Sequence, residues 1–164
     1  MNKIYIFLLF LFLNTTQALA FEGECFFEEV YKNGEIQNGF LLVSNQEIRY
    51  EYFDKKLYTI IYSDENFYLI SNTDQKNFEK INDQRINVFQ KLVNIVKQYP
   101  NITKNMEMDG FELSIEGSQN KRIPKRVIIK SNQVNLSIYL NQCTEKPINK
   151  LFFKFNPIFD YPIL

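Results

Sequence analysis

The segment from Gly39 to Ile70, GFLLVSNQEIRYEYFDKKLYTIIYSDENFYLI, determines the predicted fold. It contains four short runs rich in aromatic and branched aliphatic residues: Phe40 to Val43, Ile48 to Phe53, Leu57 to Tyr62 and Phe67 to Ile70. Polar spacers of three or four residues separate these runs, and such spacers have the length of β-hairpin loops. The segment therefore predicts an antiparallel meander.

Several of these strands are apolar on both faces. In the third run, Leu57 and Ile61 point to one face, whereas Tyr58, Ile60 and Tyr62 point to the other. An antiparallel sheet with one face in water would instead alternate apolar and polar residues. We therefore expect other parts of the chain to cover both faces of the meander.

The first twenty residues have the features of a secretory signal peptide. Lys3 precedes an apolar run from Ile4 to Leu13, and the small-x-small sequence Ala18-Leu19-Ala20 follows it. The run has about half of the roughly 20 residues needed to span a bilayer. We expect cleavage after Ala20, which leaves residues 21–164 as a single domain.

The charge balance bears on the class of partner. The 164-residue chain has 19 basic and 19 acidic residues, and loss of Lys3 with the signal peptide leaves a net charge of −1. A nucleic-acid-binding domain would have a strong excess of basic residues. We therefore expect no nucleic-acid partner.

The chain contains two cysteines, Cys25 and Cys143. Secretion would bring them to an oxidising compartment, where a single disulfide is the natural pairing. The alternative is two separately buried thiols, because the sequence alone does not show whether the two Cα atoms come close enough to bond.

The hydrophobic period changes after the meander. From Arg85 to Tyr99, apolar residues recur at spacings of three and four, which predicts an amphipathic helix with Asp83 as its cap and Pro100 at its end. Further strands are predicted on both sides of the meander and helix: Cys25 to Tyr31, Asn77 to Ile81, Ile102 to Met108, Phe111 to Glu116, Arg126 to Lys130, Val134 to Leu140 and Leu151 to Phe155.

These elements predict an α+β fold that is mostly β, with a large antiparallel sheet and one main helix. A helix of some 15 residues is about 22 Å long and covers only part of one face of such a sheet. The sheet either closes on itself as a barrel or sandwich with a solid core, or curves incompletely around an apolar cavity with the helix as a lid.

Little in the composition supports catalysis. The chain has no His and no Trp, which excludes imidazole bases and imidazole metal ligands. The adjacent carboxylates Glu28 and Glu29 point to opposite faces if they lie on a strand. No phosphate-binding loop or metal-ligand spacing occurs. We therefore expect a protein that is not an enzyme and that needs no metal or cofactor.

The order of the motifs resembles the LolA family of periplasmic outer-membrane lipoprotein carriers. A signal peptide precedes GFLLVSNQEIRYEYF, then come YSDENFYLI, a central helix and FKFNPIFD. The pairs at matching positions are Arg49-Tyr50, Ile60-Ile61, Ser63-Asp64 and Phe67-Tyr68, followed near the C-terminus by Phe153, Phe155, Pro157 and Asp160.

The resemblance implies a strongly curved, incompletely closed antiparallel sheet, a half-barrel that holds acyl chains under a helical lid. It implies a monomeric periplasmic carrier of acylated lipoprotein or lipid cargo. The partners implied by the family are an inner-membrane release complex and an outer-membrane acceptor.

Candidate site residues follow from the resemblance and from the apolar runs. Arg49 matches a family arginine that bonds to the lid backbone, although strand alternation also favours a solvated ion pair with Glu47 or Glu51. The candidates for lining an acyl cavity are Leu42, Tyr58, Ile60, Tyr62, Tyr68, Ile70, Phe89, Leu92 and Val96.

The alternative function requires no cavity. In that case the chain is a disulfide-stapled envelope protein with a solid β core, and it binds another protein through a sheet edge or through the basic loop around Ile123-Pro124. The basic residues of that loop are Lys121, Arg122, Lys125, Arg126 and Lys130.

Overall fold

The computed structural model describes residues 20–44, 47–73, 78–81, 86–102, 104–118 and 122–154. The predicted signal peptide, apart from Ala20, lies outside these residues. So do Asp83, Phe155, Pro157 and Asp160, which were predicted as a helix cap and as family-matching positions.

Within the described residues, ten strands form one antiparallel sheet, and one α-helix and a short 3-10 helix pack against it. The strands are β1 (Gly23–Tyr31), β2 (Ile36–Ser44), β3 (Glu47–Tyr52), β4 (Tyr58–Ser63), β5 (Asn66–Ser71), β6 (Phe78–Ile81), β7 (Asn105–Met108), β8 (Phe111–Glu116), β9 (Arg126–Lys130) and β10 (Asn135–Glu145). The helices are α1 (Asn87–Gln98) and the 3-10 helix η1 (Lys150–Phe153).

The strand order is β6-β5-β4-β3-β2-β1-β10-β9-β8-β7. Two local meanders, β1 to β6 and β7 to β10, join where β1 pairs with β10. The edge strands β6 and β7 do not pair with each other, so the sheet is not closed. The predicted fold class, a mostly β protein with an incompletely closed antiparallel sheet and one main helix, is confirmed.

The inner face of the sheet is the face that packs against α1. The helix contributes Leu92, Val93, Ile95 and Val96 to a core that contains residues from both meanders. Its Phe89 ring meets the Tyr50 ring of β3 edge-on at 5.3 Å. Lys91 forms an ion pair with Asp109 in the β7–β8 turn. The helix therefore connects the two meanders on the inner face.

The predicted helix is confirmed, with boundaries two residues inside the expected start and one inside the expected end. It ends at Tyr99, whose backbone is extended with ψ of 139°. Extended backbone is the preferred conformation before a proline, and Pro100 follows. Ile86 occupies the cap position, and its side chain makes no capping hydrogen bond.

The C-terminal segment covers the part of the outer face that β2 to β5 form. Ile148 and Phe153 are buried there with Leu42, Ile61 and Ile70. In β4, every residue from Thr59 to Ser63 is buried, which confirms for this strand the expectation that both faces are covered.

The strand predicted from Leu151 to Phe155 is wrong. The described part of this segment forms η1, in which the Asn149 side chain accepts a hydrogen bond from the Leu151 N–H at 3.0 Å. Phe152 and Phe153 pack on the outer face instead of pairing with a sheet edge. The apolar pattern of LFFKF is compatible with either arrangement, so tertiary packing decides between them.

Two strands predicted in the second half of the chain have other lengths in the structure. The strand predicted from Ile102 to Met108 begins only at Asn105. The strand predicted from Val134 to Leu140 runs from Asn135 to Glu145. The Asp109-Gly110 turn is confirmed, because both residues have positive φ, as a two-residue type I′ hairpin requires.

Cys25 and Cys143 form a disulfide with an S–S distance of 2.11 Å. The predicted pairing is confirmed, and the alternative of two separate thiols is excluded. The bond connects β1 to β10, the neighbouring strands through which the two meanders join.

Candidate functional site

A cavity of about 380 Å³ lies on the inner face, between the sheet and the first turn of α1. Ile60, Leu69 and Ile81 of neighbouring strands form one wall, and Ile86 and Phe89 at the start of α1 form another. The remaining lining residues are Tyr31, Glu35, Gln37, Tyr52, Leu57 and Tyr58. The volume is at the low end of the roughly 300 to 1,000 Å³ typical of ligand pockets.

A buried carboxylate lies directly behind the polar part of this cavity. Glu29 on β1 is only 1 % exposed. It accepts hydrogen bonds from the hydroxyl of Tyr31 at 2.6 Å and from that of Tyr50 at 2.8 Å. The Tyr52 hydroxyl lies within 3.1 Å of both Glu29 oxygens. Tyr31 and Tyr52 also line the cavity, so they connect Glu29 to its interior.

The local sequence explains how three phenols reach one carboxylate. Phe27, Glu29 and Tyr31 alternate on β1, so they share the inner face. Gly39 on β2 pairs with Phe27 on one side and with Tyr52 on the other. Because Gly39 has no side chain, the Phe27 ring can lie over it and stack on Tyr50 at 3.8 Å.

The electrostatics of the cluster follow from its burial. Desolvation raises the pKa of Glu29 above its usual value, and the hydrogen bonds from the three tyrosines oppose this rise only in part. Burial and the neighbouring Glu29 carboxylate also raise the pKa values of Tyr31, Tyr50 and Tyr52. The three phenols therefore remain protonated donors at neutral pH.

The Glu29 environment predicts a specific pH dependence of stability. A raised pKa means that the folded state holds the Glu29 proton more tightly than the unfolded state, so the resulting stabilisation is present below the ordinary pKa of 4.5 and is lost as pH rises through the folded value. Relative to Glu29→Gln, the wild-type protein should therefore lose stability as the pH rises from 4 towards 8. Urea unfolding of both proteins across this range measures the difference.

The matched control for this experiment is Glu28→Gln, which removes one carboxylate from the opposite face of the same strand. If the difference in unfolding free energy between wild type and Glu29→Gln stays constant with pH, Glu29 does not titrate differently in the folded and unfolded states.

The structure places the nine predicted cavity residues in three groups. Tyr58, Ile60 and Phe89 line the cavity. Tyr62, Leu92 and Val96 belong to the solid part of the inner core. Leu42, Tyr68 and Ile70 lie on the outer face, in the cluster beneath the C-terminal segment.

Arg49 lies on the outer face. Its Nε donates to Glu51 Oε2 at 2.7 Å, which is the ion pair expected from strand alternation. Its Nη1 also donates to the backbone carbonyl of Phe152 at 3.1 Å. Arg49 therefore bonds the backbone of η1 on the outer face, on the opposite side of the sheet from α1.

Sequence reasoning missed Glu29 and its three tyrosines. The alternation of Glu29 with Tyr31, and of Tyr50 with Tyr52, was visible in the chain. Bringing the two pairs together requires the register of β1, β2 and β3, which the sequence alone does not reveal.

Comparison with known proteins leaves the family open. A scan against protein-family models finds no match, and a search of the curated proteins finds no significant match. The resemblance to the LolA family therefore stays a prediction that rests on the residues quoted above.

Two further observations concern the described part of the chain. No helix there is long and apolar enough to cross a membrane. The same residues contain no group of three or more cysteine or acidic side chains placed to hold a metal ion.

Proposed function

We propose that this protein is a periplasmic carrier that shelters an acyl chain of a lipoprotein or lipid and transfers it from the inner to the outer membrane. The observation that carries the proposal is the 380 Å³ cavity with apolar walls between the sheet and α1. In this role the protein receives its cargo from an inner-membrane release complex and delivers it to an outer-membrane acceptor.

The size of the cavity suits reversible binding. Its volume favours one chain over several, and about ten buried CH₂ groups contribute about 8 kcal/mol at 0.8 kcal/mol each. That free energy corresponds to a dissociation constant of about 1 μM, before the cost of immobilising the chain. A single chain can therefore be released without a large input of energy.

The first turn of α1 is the natural gate, because Ile86 and Phe89 form the wall that α1 contributes. Farther along the helix, Lys91 pairs with Asp109, and Leu92 and Val96 are buried in the core. A small movement of the first turn would widen the cavity while the rest of the helix stays packed.

The test is binding of N-phenyl-1-naphthylamine, a neutral probe whose fluorescence increases in apolar surroundings. The wild-type protein should enhance its fluorescence saturably. Leu69→Trp should fill the cavity and abolish the enhancement, because Leu69 lies on the cavity wall. Leu57→Trp provides a second cavity variant near the β3–β4 turn.

The matched control is Leu151→Trp, which places the same side chain at an exposed position of η1 on the opposite face of the sheet. Far-ultraviolet circular dichroism verifies that each variant is folded. Lack of probe binding by the folded wild-type protein, together with no detergent-removable mass on protein isolated gently from the periplasm, overturns the carrier proposal.

A second candidate function rests on an aromatic patch on the outer face. Phe26 and Phe53 are 46 % and 55 % exposed, and each ring centroid is 6.2 Å from its aromatic neighbour in the series Phe26, Phe53, Phe40. Exposed aromatic clusters are typical of protein-binding surfaces. If the cavity binds no probe, this patch favours the protein-binding alternative.

A further inference from the structure

The polar wall of the cavity presents hydrogen-bond acceptors. Among the described residues that line it, Tyr31, Tyr52 and Glu35 carry oxygens that can accept, and the side chains of Gln37 and Tyr58 can also donate. No lysine or arginine occurs among these described lining residues. The polar side of the cavity is therefore suited to a ligand that donates hydrogen bonds or carries positive charge.

The hydroxyl hydrogens of Tyr31 and Tyr52 already take part in hydrogen bonds within the protein. Tyr31 and Tyr52 donate their hydroxyl hydrogens to Glu29, so towards the cavity their oxygens can only accept. Gln37 donates to Glu35 at 2.9 Å, which leaves further acceptor capacity on that carboxylate. The lone pairs on the oxygens of Tyr31, Tyr52 and Glu35 would repel a ligand carboxylate or phosphate.

The buried Glu29 carboxylate also favours a cationic ligand. It is buried, and its hydrogen-bond partners among the described residues are tyrosines, with no lysine or arginine paired to it. A buried carboxylate without a cation bears a large desolvation cost. A ligand cation held by Tyr31 and Tyr52 would lie one hydroxyl away from Glu29 and would offset part of that cost.

We propose that the cavity selects single-chain amphiphiles with an ammonium head group. The chain lies against Ile60, Leu69 and Phe89, and the ammonium donates to the Tyr31 and Tyr52 hydroxyls and to Glu35. This inference rests on the proposed carrier function and narrows its cargo to a lipid that bears an amine.

The ammonium head has three N–H donors, which matches the three acceptor groups of the wall. A neutral alcohol of the same chain length offers one donor and no charge, and a fatty acid offers a repelled anion.

The experiment is displacement of bound N-phenyl-1-naphthylamine at pH 7 by dodecylammonium and by dodecanoate, each below its micelle concentration. Dodecylammonium should displace the probe at a concentration about tenfold lower, which is the effect of one additional charge-assisted hydrogen bond. A twelve-carbon lysophosphatidylethanolamine forms a third arm. If this lysolipid also displaces the probe, the amine that the cavity binds belongs to a lipid head group. If only dodecylammonium displaces the probe, the cavity binds a free amine.

Three variants test the placement of the head group. Glu35→Gln, Tyr31→Phe and Tyr52→Phe should each reduce severalfold the ratio of the dodecanoate concentration to the dodecylammonium concentration that displaces half of the probe, both concentrations being measured on the same variant. Glu112→Gln is the matched control, because it removes one carboxylate at an exposed position of β8 outside the cavity lining.

The outcomes separate this inference from the carrier function. If the probe binds and both amphiphiles displace it equally, the head-group inference is overturned and the carrier function stands. A preference that persists unchanged in all three variants also overturns it, because the ammonium then binds elsewhere. Failure of the probe to bind, together with no detergent-removable mass on protein isolated gently from the periplasm, overturns the carrier function itself.

Discussion

Replacement of both cysteines by alanine should lower the free energy of unfolding by roughly 4 to 5 kcal/mol. Cys25 and Cys143 are 118 residues apart in the chain, so the bond closes a very long loop in the unfolded state. In the chain-entropy model, the stabilisation increases with the logarithm of loop length. Because whole domains are stable by about 5 to 15 kcal/mol, this loss is a large part of the total.

Urea unfolding followed by circular dichroism measures the effect. Wild-type protein unfolded in the presence of dithiothreitol is the matched control, and its stability should agree with that of the double variant. Alkylation of unfolded wild-type protein without reductant should label neither sulfur. A stability loss below about 1 kcal/mol would show that the unfolded-state constraint contributes little here.

Gly39→Ala should destabilise the protein by about 3 kcal/mol, the upper end of the usual cost of overpacking. A Cβ at Gly39 would lie 2.0 Å from the backbone carbonyl oxygen of Glu51 and 2.4 Å from Cζ of Phe27. The first contact is with backbone and the second is with a ring that is stacked on Tyr50, so neither can move without disturbing the core.

Gly117→Ala is the matched control. The nearest atom to its new Cβ is the Tyr99 hydroxyl oxygen at 3.1 Å, which is the end of a side chain at the surface of the core. Its stability should change by about 0.5 kcal/mol or less. Equal effects of the two substitutions would contradict the close packing assigned to Gly39, and thermal unfolding of both variants distinguishes these results.

The meander and the helix were predictable because local rules determine them. The apolar runs between Gly39 and Ile70 alternate with hairpin-length spacers, and the structure has four strands there with boundaries shifted by a few residues. The helix was predictable because its apolar residues recur at helical spacing. The disulfide was predictable from the cysteine count and the expected compartment.

The cavity and the outer layer were not predictable in detail, because both depend on which strand faces which element. Leu42 and Ile70 have the same apolar character as Ile60, yet they lie under the C-terminal segment on the opposite face. Residues on both faces of a doubly apolar strand look equivalent in the sequence. Only the position of α1 on one side and η1 on the other distinguishes them.

The pairing of β1 with β10 has a consequence for how the chain folds. Phe27 and Leu140 are direct partners although more than a hundred residues separate them, whereas the other strand pairs join neighbours along the chain. Loop closure makes such a distant pairing slow, so both meanders can form before they meet. Until they meet, β1 and β10 each present an unpaired edge that can pair with another molecule. Refolding yield should therefore fall as protein concentration rises.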